Sequence, residues 1–145
     1  MSRKIKFRIW DKEGSKMING NDFTFDEYIP INYMFNDSNR FIFMQYTGYK
    51  DKTGREIYEG DILKCRLYSG KYENYAIKWG HITCGFEALN KDESNFMDCC
   101  IWNEFEVIGN IYENPVLLEK GKISDIHRVL YAEYYRYDKL KRFSL

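Results

Sequence analysis

The chain has 145 residues, of which 30% are charged and 18% are aromatic, and its 22 basic residues balance its 22 acidic residues. That length suffices for one domain with its own hydrophobic core. The zero net charge excludes a global field that would draw the whole chain to nucleic acid or to a membrane surface, although a local basic patch is compatible with it.

Export and membrane signals are missing from the sequence. No run approaches the roughly 18 apolar residues of a transmembrane helix. The opening Met-Ser-Arg-Lys-Ile-Lys is not followed by the apolar core of a signal peptide. The four cysteines lack CxxC spacing. We therefore expect reduced thiols and a cytoplasmic protein in its host cell, without a membrane partner.

The first predicted element is a β-hairpin. Residues 4–10 alternate strictly between an apolar face and a face that carries three basic residues and Trp10, which is typical of a half-buried strand. A polar turn over residues 11–16 leads to a partner strand that starts at Met17. The basic face fits either an exposed strand face, which we favour, or a surface on which nucleic-acid bases stack.

Residues 19–39 are irregular and rich in aromatic side chains. Because Pro30 disfavours a long helix or a central strand, we expect a packed loop here with at most a short helix or strand.

Residues 41–65 contain the clearest turn chemistry of the chain. The apolar run at 41–44 favours a buried strand. Asp51 stands where a turn needs a side-chain acceptor, and Gly54 where the turn needs a positive φ. Gly60 and Asp61 mark a second turn, after which residues 62–67 leave as a strand. The charged side chains of this stretch fit the needs of hairpin turns better than those of a charged binding loop. We expect Asp61 to cap backbone N–H groups rather than to act in catalysis.

The remaining β-elements form a predicted meander. Residues 73–79 and 82–89 predict two strands joined by a two-residue turn at Gly80 and His81. Residues 96–102 form a short apolar run, and 105–112 predict a last strand with a bulge or bend at Gly109 and Asn110. Short strands at turn-marked spacing predict a mainly β fold, a small antiparallel, SH3-like barrel.

The C-terminal segment contains the strongest helix prediction, residues 124–143, with Ser124 as N-cap and apolar residues along one stripe. Residues 120–145 carry seven basic and three acidic residues, so this segment is +4 and the remainder is −4. A basic helix of this kind is suited to bind nucleic acid. It is also suited to pack against an acidic surface on its own barrel or on a second copy of the chain, and we favour this second alternative because it needs no external ligand. The candidate contact residues are Arg128, Tyr135, Arg136, Lys139 and Arg142.

These elements predict a single domain over 1–145. It comprises an N-terminal hairpin and aromatic loop (1–40), a β-barrel core (41–119) and the C-terminal helix (120–145).

Metal-binding and catalytic patterns are weak. The residues of zinc-binding type are Cys65, His81, Cys84, Cys99 and Cys100. Adjacent cysteines seldom both bind one metal, so buried apolar thiols explain them better. The two histidines are the only candidate neutral-pH bases, and the GxSxG, HExxH, P-loop and GxGxxG motifs do not occur. We expect no metal, no cofactor and no catalytic residue.

Three motifs together resemble the YopX family of phage and prophage proteins. They are Lys-Phe-Arg-Ile-Trp-Asp at 6–11, Met-Gln-Tyr-Thr-Gly-Tyr-Lys-Asp at 44–51 with Gly54 and Ile-Tyr-Glu-Gly-Asp-Ile at 57–62, and Glu-Val-Ile-Gly-Asn-Ile-Tyr-Glu-Asn-Pro at 106–115. The resemblance implies a β-rich, barrel-containing fold and an origin in mobile DNA of Gram-positive bacteria. It implies no mechanism, since the family has no established activity, and it does not extend to residues 120–145.

Within these motifs, one set of positions is expected to define the fold first and to bind a ligand second. The set is Trp10, Tyr46, Gly48, Lys50, Asp51, Gly54, Tyr58, Gly60 and Asp61.

The aromatic excess, the amphipathic helix and the missing catalytic signatures predict a non-enzymatic accessory protein of a phage or prophage. It would bind a host or phage protein and associate with itself as a homo-oligomer. The alternative is a nucleic-acid-binding accessory protein that uses the basic helix and the strand face. A metal-dependent or hydrolytic enzyme has the least support.

Overall fold

The computed structural model describes residues 4–20, 31–66, 70, 72–90, 96–97 and 104–118. The elements in these ranges are β1 (Phe7–Asp11), β2 (Lys16–Ile18), α1 (Ile31–Asn36), β3 (Phe41–Lys50), β4 (Glu56–Tyr58), β5 (Asp61–Arg66), β6 (Tyr72–Gly80), β7 (Gly85–Leu89), β8 (Phe96–Met97), β9 (Glu106–Asn110) and a 3-10 helix (Pro115–Leu118). The predicted mainly β, antiparallel fold is confirmed.

The strands form two antiparallel sheets. The first has the order β2-β1-β3-β4 and the second the order β8-β7-β6-β5-β9, which includes the predicted meander of β5, β6 and β7. One sheet curls into a half-barrel. The predicted C-terminal helix, residues 124–143, lies outside the described residues, as do residues 98–102 of the predicted apolar run, which begins with β8.

The N-terminal hairpin is confirmed, with Ile9 opposite Ile18 across β1 and β2. The prediction that the basic face of β1 is exposed is wrong for its last two members, Arg8 and Trp10. Arg8 is 7% exposed and Trp10 is 9% exposed, while Ile9 on the other face is fully buried. Both faces of β1 are therefore covered. Alternation alone does not distinguish a solvated cation from one that is paired with a buried carboxylate of another element.

The turn at residues 51–54 has the predicted form. Gly54 takes a φ of 87°, and its N–H donates to the carbonyl of Asp51 at 3.0 Å. The second turn also ends in a left-handed glycine, Gly60, with a φ of 79°. The short helix α1 falls within the segment where a short helix or strand was expected.

The predicted two-residue turn between β6 and β7 is wrong, because the connection comprises residues 81–84 and Gly80 pairs with Gly85. The reason lies in the space around Gly80. A Cβ at that position would fall 2.1 Å from the carboxyl group of Glu87, so this glycine permits a close side-chain approach within the strand. The tip then exposes Ile82 almost completely, at 99%.

The predicted irregularity in the last strand is a bulge one residue earlier than expected. Ile62 pairs with Gly109 and Leu63 pairs with Val107, which leaves Ile108 as the extra residue. Gly109 is required by the turn that follows, since a Cβ there would lie 2.5 Å from the Asn114 side-chain oxygen.

The strand β4 connects the two sheets. It pairs with β3 in the first sheet, yet its fully buried Ile57 belongs to the main core of the second sheet. The other buried members of that core are Leu63, Cys65, Tyr75, Ile77, Ala88, Phe105 and Val107. The segment of residues 41–66 therefore crosses from one sheet to the other. In the described parts of the chain, no helix is long and apolar enough to cross a membrane.

Candidate functional site

An open groove of about 670 Å³ lies against the first sheet. Its lining includes Ile5, Lys6 and Arg8 at β1, and Arg55, Glu56 and Tyr58 at β4. The start of α1 contributes Ile31. Apolar and charged groups therefore alternate along the walls, which is the composition of a binding site rather than of a core cavity.

One end of the groove is fixed by a buried ion pair. The Nη2 of Arg8 donates to Oδ1 of Asp61 at 2.7 Å and to the carbonyl of Glu59 at 3.1 Å. The two side chains of the pair are only 8% and 1% exposed. The second oxygen of Asp61 accepts the N–H of Tyr58 at 2.8 Å, so this carboxylate joins β1, β4 and β5. Burial raises the pKa of Asp61, and the Arg8 guanidinium opposes that rise.

The floor of the groove is formed by four members of a cluster of two cations, two tyrosines and one carboxylate, whose fifth member, Tyr46, lies beside the lining. Glu56 accepts from Lys6 at 2.5 Å and from the Tyr58 hydroxyl at 2.8 Å. The Arg8 guanidinium lies 4.9 Å from the centre of the Tyr58 ring, and the Lys6 ammonium lies 5.9 Å from that of Tyr46. The two tyrosine rings are 5.5 Å apart. We call these five residues the tyrosine cluster.

The electrostatics of the tyrosine cluster keep its groups in fixed protonation states at neutral pH. The hydrogen bond from Lys6 lowers the pKa of Glu56, which therefore stays ionised. Burial, together with the hydrogen bond to Glu56, raises the pKa of Tyr58 to about 12, so its hydroxyl stays protonated as a donor. Neither Glu56 nor Tyr58 is therefore poised to exchange a proton near pH 7.

Asp51 does not line the groove and performs a different task. Its Oδ1 accepts the backbone N–H groups of Thr53 and Arg55 and the Thr53 hydroxyl, at 2.7 to 2.9 Å. Its Oδ2 accepts the N–H of Val107 in β9 at 2.9 Å. Although burial alone would raise the pKa of Asp51, these donors lower it. The side chain therefore closes the hairpin and attaches it to the second sheet.

The residues singled out from the motifs separate into several locations. Tyr46, Tyr58 and Asp61 come together in or beside the groove. Trp10 lies in a separate cluster, where it stacks on Tyr112 at 5.6 Å. Three others, Gly48, Lys50 and Gly54, belong to the exposed part of the hairpin, whereas Asp51 and Gly60 are buried. The second predicted set, Arg128, Tyr135, Arg136, Lys139 and Arg142, lies outside the described residues.

Sequence reasoning missed the role of Lys6, Arg8 and Glu56 in this site. The available signal was the carboxylate of Asp61, directly before a buried apolar strand, since a carboxylate in that place needs a cationic partner as well as N–H donors. Arg8 was available as that cation, because it lies on a strand whose Trp10 contributes a large side chain to the core.

Metal-type ligands do not gather within the part of the chain that the structure describes: no three His, Cys, Asp or Glu side chains are placed to hold an ion. Cys65 is a buried thiol and Cys84 is exposed. Cys84 donates to the carbonyl of His81 at 3.6 Å. Cys99 and Cys100 lie outside the described residues.

Comparisons with known proteins agree with the three sequence motifs. The structure resembles the crystal structure of protein EF1440 from Enterococcus faecalis, with a TM-score of 0.57 and 30% sequence identity, over 81% of this chain and 100% of that chain. A search of curated proteins found no match. The family model for the YopX protein matches residues 6–119, which include every described lining residue of the groove except Ile5, the buried ion pair and the hairpin that Asp51 closes. The chain belongs to the YopX family.

Proposed function

We propose that this chain is a non-enzymatic binding module that takes a segment of another protein in the groove. The observation that carries the proposal is the groove itself, about 670 Å³ of open space above the tyrosine cluster. Its floor is ordered by ion pairs and ring contacts in the free protein. Little conformational entropy is then lost when a partner binds, which favours recognition.

The carboxylates of the groove support a non-enzymatic role. Glu56 is occupied by Lys6 and Tyr58, and Asp61 by Arg8 and the Tyr58 amide. General acid–base catalysis needs a group whose proton is exchangeable near the working pH and which reaches the substrate. These two carboxylates instead hold the walls of the groove in place.

The strand-face part of the nucleic-acid alternative is weakened, because Trp10, the side chain on which a base would stack, is buried and does not line the groove. Glu56 also places a negative charge in the groove, where it would repel a phosphate backbone. The basic segment after residue 119, on which the rest of that alternative depends, lies outside the described residues. We therefore favour a protein partner.

Self-association in the host cytoplasm is part of the proposal. It is supported by five aromatic side chains that are between 38% and 56% exposed: Tyr33, Phe35, Tyr49, Tyr72 and Trp79. Aromatic side chains are enriched in protein interfaces because they bury large areas with little loss of rotamer freedom.

A peptide-display selection on the immobilised full chain tests the binding function. Ile5 lines the groove and is 67% exposed, so Ile5→Ser changes the site without opening the core. Ile82→Ser at the β6–β7 tip is the matched control. We expect selected peptides to lose about tenfold in affinity for Ile5→Ser and nothing for Ile82→Ser. Equal binding to all three proteins, or no enriched peptide, would refute the proposal.

Light scattering of the full chain at low and physiological salt, with and without DNA, tests the other parts. A discrete oligomer whose mass does not change when DNA is added supports self-association. A monomer that gains mass with DNA, and loses it as salt rises, would replace the protein-binding proposal with the nucleic-acid alternative.

A further inference from the structure

One cation of the groove forms no ion pair with any residue that the structure describes. Lys6, Arg8, Arg40 and Lys52 each form an ion pair. For the guanidinium of Arg55, by contrast, there is no hydrogen bond or ion pair with any residue in the described ranges, although Arg55 lines the groove. Its charge lies close enough to Asp61 to favour the ionised form of that carboxylate.

A second guanidinium at the same place has an unused donor. All the side-chain hydrogen bonds of Arg8 to described residues come from Nη2. Its Nε is buried and, among the residues that the structure describes, finds no acceptor. A buried donor without an acceptor is unfavourable, and buried N–H groups in folded proteins are nearly always bonded. Arg8 also lines the groove, so an acceptor that arrives there relieves this cost after a small movement of the side chain.

The charge balance limits what the ligand is. Among the described residues, the buried Asp61 beside the groove offsets the charge of Arg8, and Glu56 offsets that of Lys6. Of the described cations that line the groove, Arg55 is then the one without an ion pair. A phosphate chain or any other polyanion would meet the ionised Glu56 in the same space. A single carboxylate satisfies Arg55 without excess negative charge. The apolar groups of Ile5 and Ile31 provide a place for a neighbouring hydrophobic side chain.

We propose that the groove recognises an acidic peptide segment of a partner protein, through one Asp or Glu carboxylate bound at Arg55 and Arg8 and an apolar side chain bound beside it. This inference rests on the proposed function, for which it names the partner chemistry. Arg8 keeps its bond to Asp61 throughout, and the ligand uses only the free edge of the guanidinium. Arg55 supplies the charge that selects the carboxylate, and the apolar walls select its neighbour.

Nuclear magnetic resonance tests this directly, because arginine Nε–Hε groups give signals of their own. The 15N-labelled full chain is titrated with the dipeptide acetyl-Phe-Glu-methylamide. Acetyl-Phe-Gln-methylamide, inorganic phosphate and an oligothymidylate are titrated in parallel. We expect the Glu dipeptide to shift the signals of Arg8 and Arg55, and the three other probes to leave them in place. Shifts of similar size with phosphate or with the oligonucleotide would overturn the assignment to a carboxylate.

Two variants of equal charge complete the test. Arg55→Gln removes the proposed contact, and Lys64→Gln removes one positive charge from an exposed position on β5 that does not line the groove. We expect Arg55→Gln to weaken binding of the Glu dipeptide about tenfold and Lys64→Gln to leave it unchanged, since a charge-assisted hydrogen bond is worth about a factor of ten. Equal losses in both variants would indicate unspecific charge attraction and refute the site.

The outcomes separate this inference from the proposed function. If display-selected peptides bind in the groove but do not depend on Arg55, the carboxylate assignment fails and the protein-binding function stands. If neither selected peptides nor the Glu dipeptide bind, both fail. Arg8 itself is left intact in both binding variants, because its loss would break the buried pair with Asp61.

Discussion

Asp61→Asn is the most informative single change in this fold. The substitution keeps the size of the side chain but removes the charge opposite Arg8, and the two side chains of the pair are 8% and 1% exposed. The amide of asparagine has only one oxygen, so its NH2 group must face either the Arg8 Nη2 or the Tyr58 N–H, both of which are donors. Removing one partner of a buried pair costs about 3–5 kcal/mol. We expect a loss of that size, measured as the free energy of unfolding in urea.

An exposed ion pair of the same protein gives the control. Lys52 and Glu106 are 3.0 Å apart with side chains that are 53% and 44% exposed, so Lys52→Gln should cost less than about 1 kcal/mol. The double variant Arg8→Met with Asp61→Asn should lose less stability than the sum of the two single variants, because each single change already breaks the pair. A loss below about 1 kcal/mol for Asp61→Asn, as expected of an exposed pair, would refute the reasoning.

Three further expectations concern the turns and the other buried carboxylates. Gly60→Ala should cost more in urea unfolding than Gly54→Ala, which is expected to cost about 1–2 kcal/mol. Both glycines have a positive φ, but only at Gly60 does an added Cβ meet neighbouring atoms, the nearest at 3.1 Å, so equal losses would contradict this explanation. Asp51→Ala should cost about 2–4 kcal/mol, because it leaves the donors of the hairpin and of β9 without an acceptor; an unchanged urea midpoint would argue against it. The hydrogen bonds from Arg40 lower the pKa of Asp11 from 3.8 to about 2. About 2 kcal/mol of stability is therefore present above about pH 4 and lost as the pH falls through about 2. The free energy of unfolding of Asp11→Asn should lack this acid-dependent part between about pH 5 and 2. If the variant keeps the same pH dependence, groups other than Asp11 are responsible for it.

Local chemistry explains which parts of the fold could be predicted. The hairpin at 51–54 depends on an acceptor side chain and a glycine that are three residues apart, and its geometry follows from those two residues alone. The glycine at the β6–β7 connection gave the opposite result. Gly80 leaves room for the side chain of Glu87. Which side chain lies beside Gly80 depends on the strand register, and the register cannot be read from the sequence alone.

The candidate site depends on contacts of long sequence separation, which local patterns do not contain. Arg8 and Asp61 are 53 positions apart, and Lys6 and Glu56 are 50 apart. The pattern of β1 correctly predicts a strand. It does not predict that a second element covers its basic face, because burial of a cation depends on where a carboxylate arrives from elsewhere in the chain. For the same reason the groove itself, which lies between distant segments, had no signal in the sequence.

The crossing of β4 between the sheets has a consequence for how the protein opens in solution. The N–H of Gly60 donates to the carbonyl of Ile77, and the carbonyl of Gly60 accepts the N–H of Ile111. Both backbone groups of Gly60, directly after β4, are therefore hydrogen-bonded to the segments of the second sheet. One sheet cannot detach without exposing Ile57 and breaking these bonds. The amides of Ile9 in one sheet and Ile77 in the other should then exchange their hydrogens with a common opening free energy, as parts of one cooperative unit.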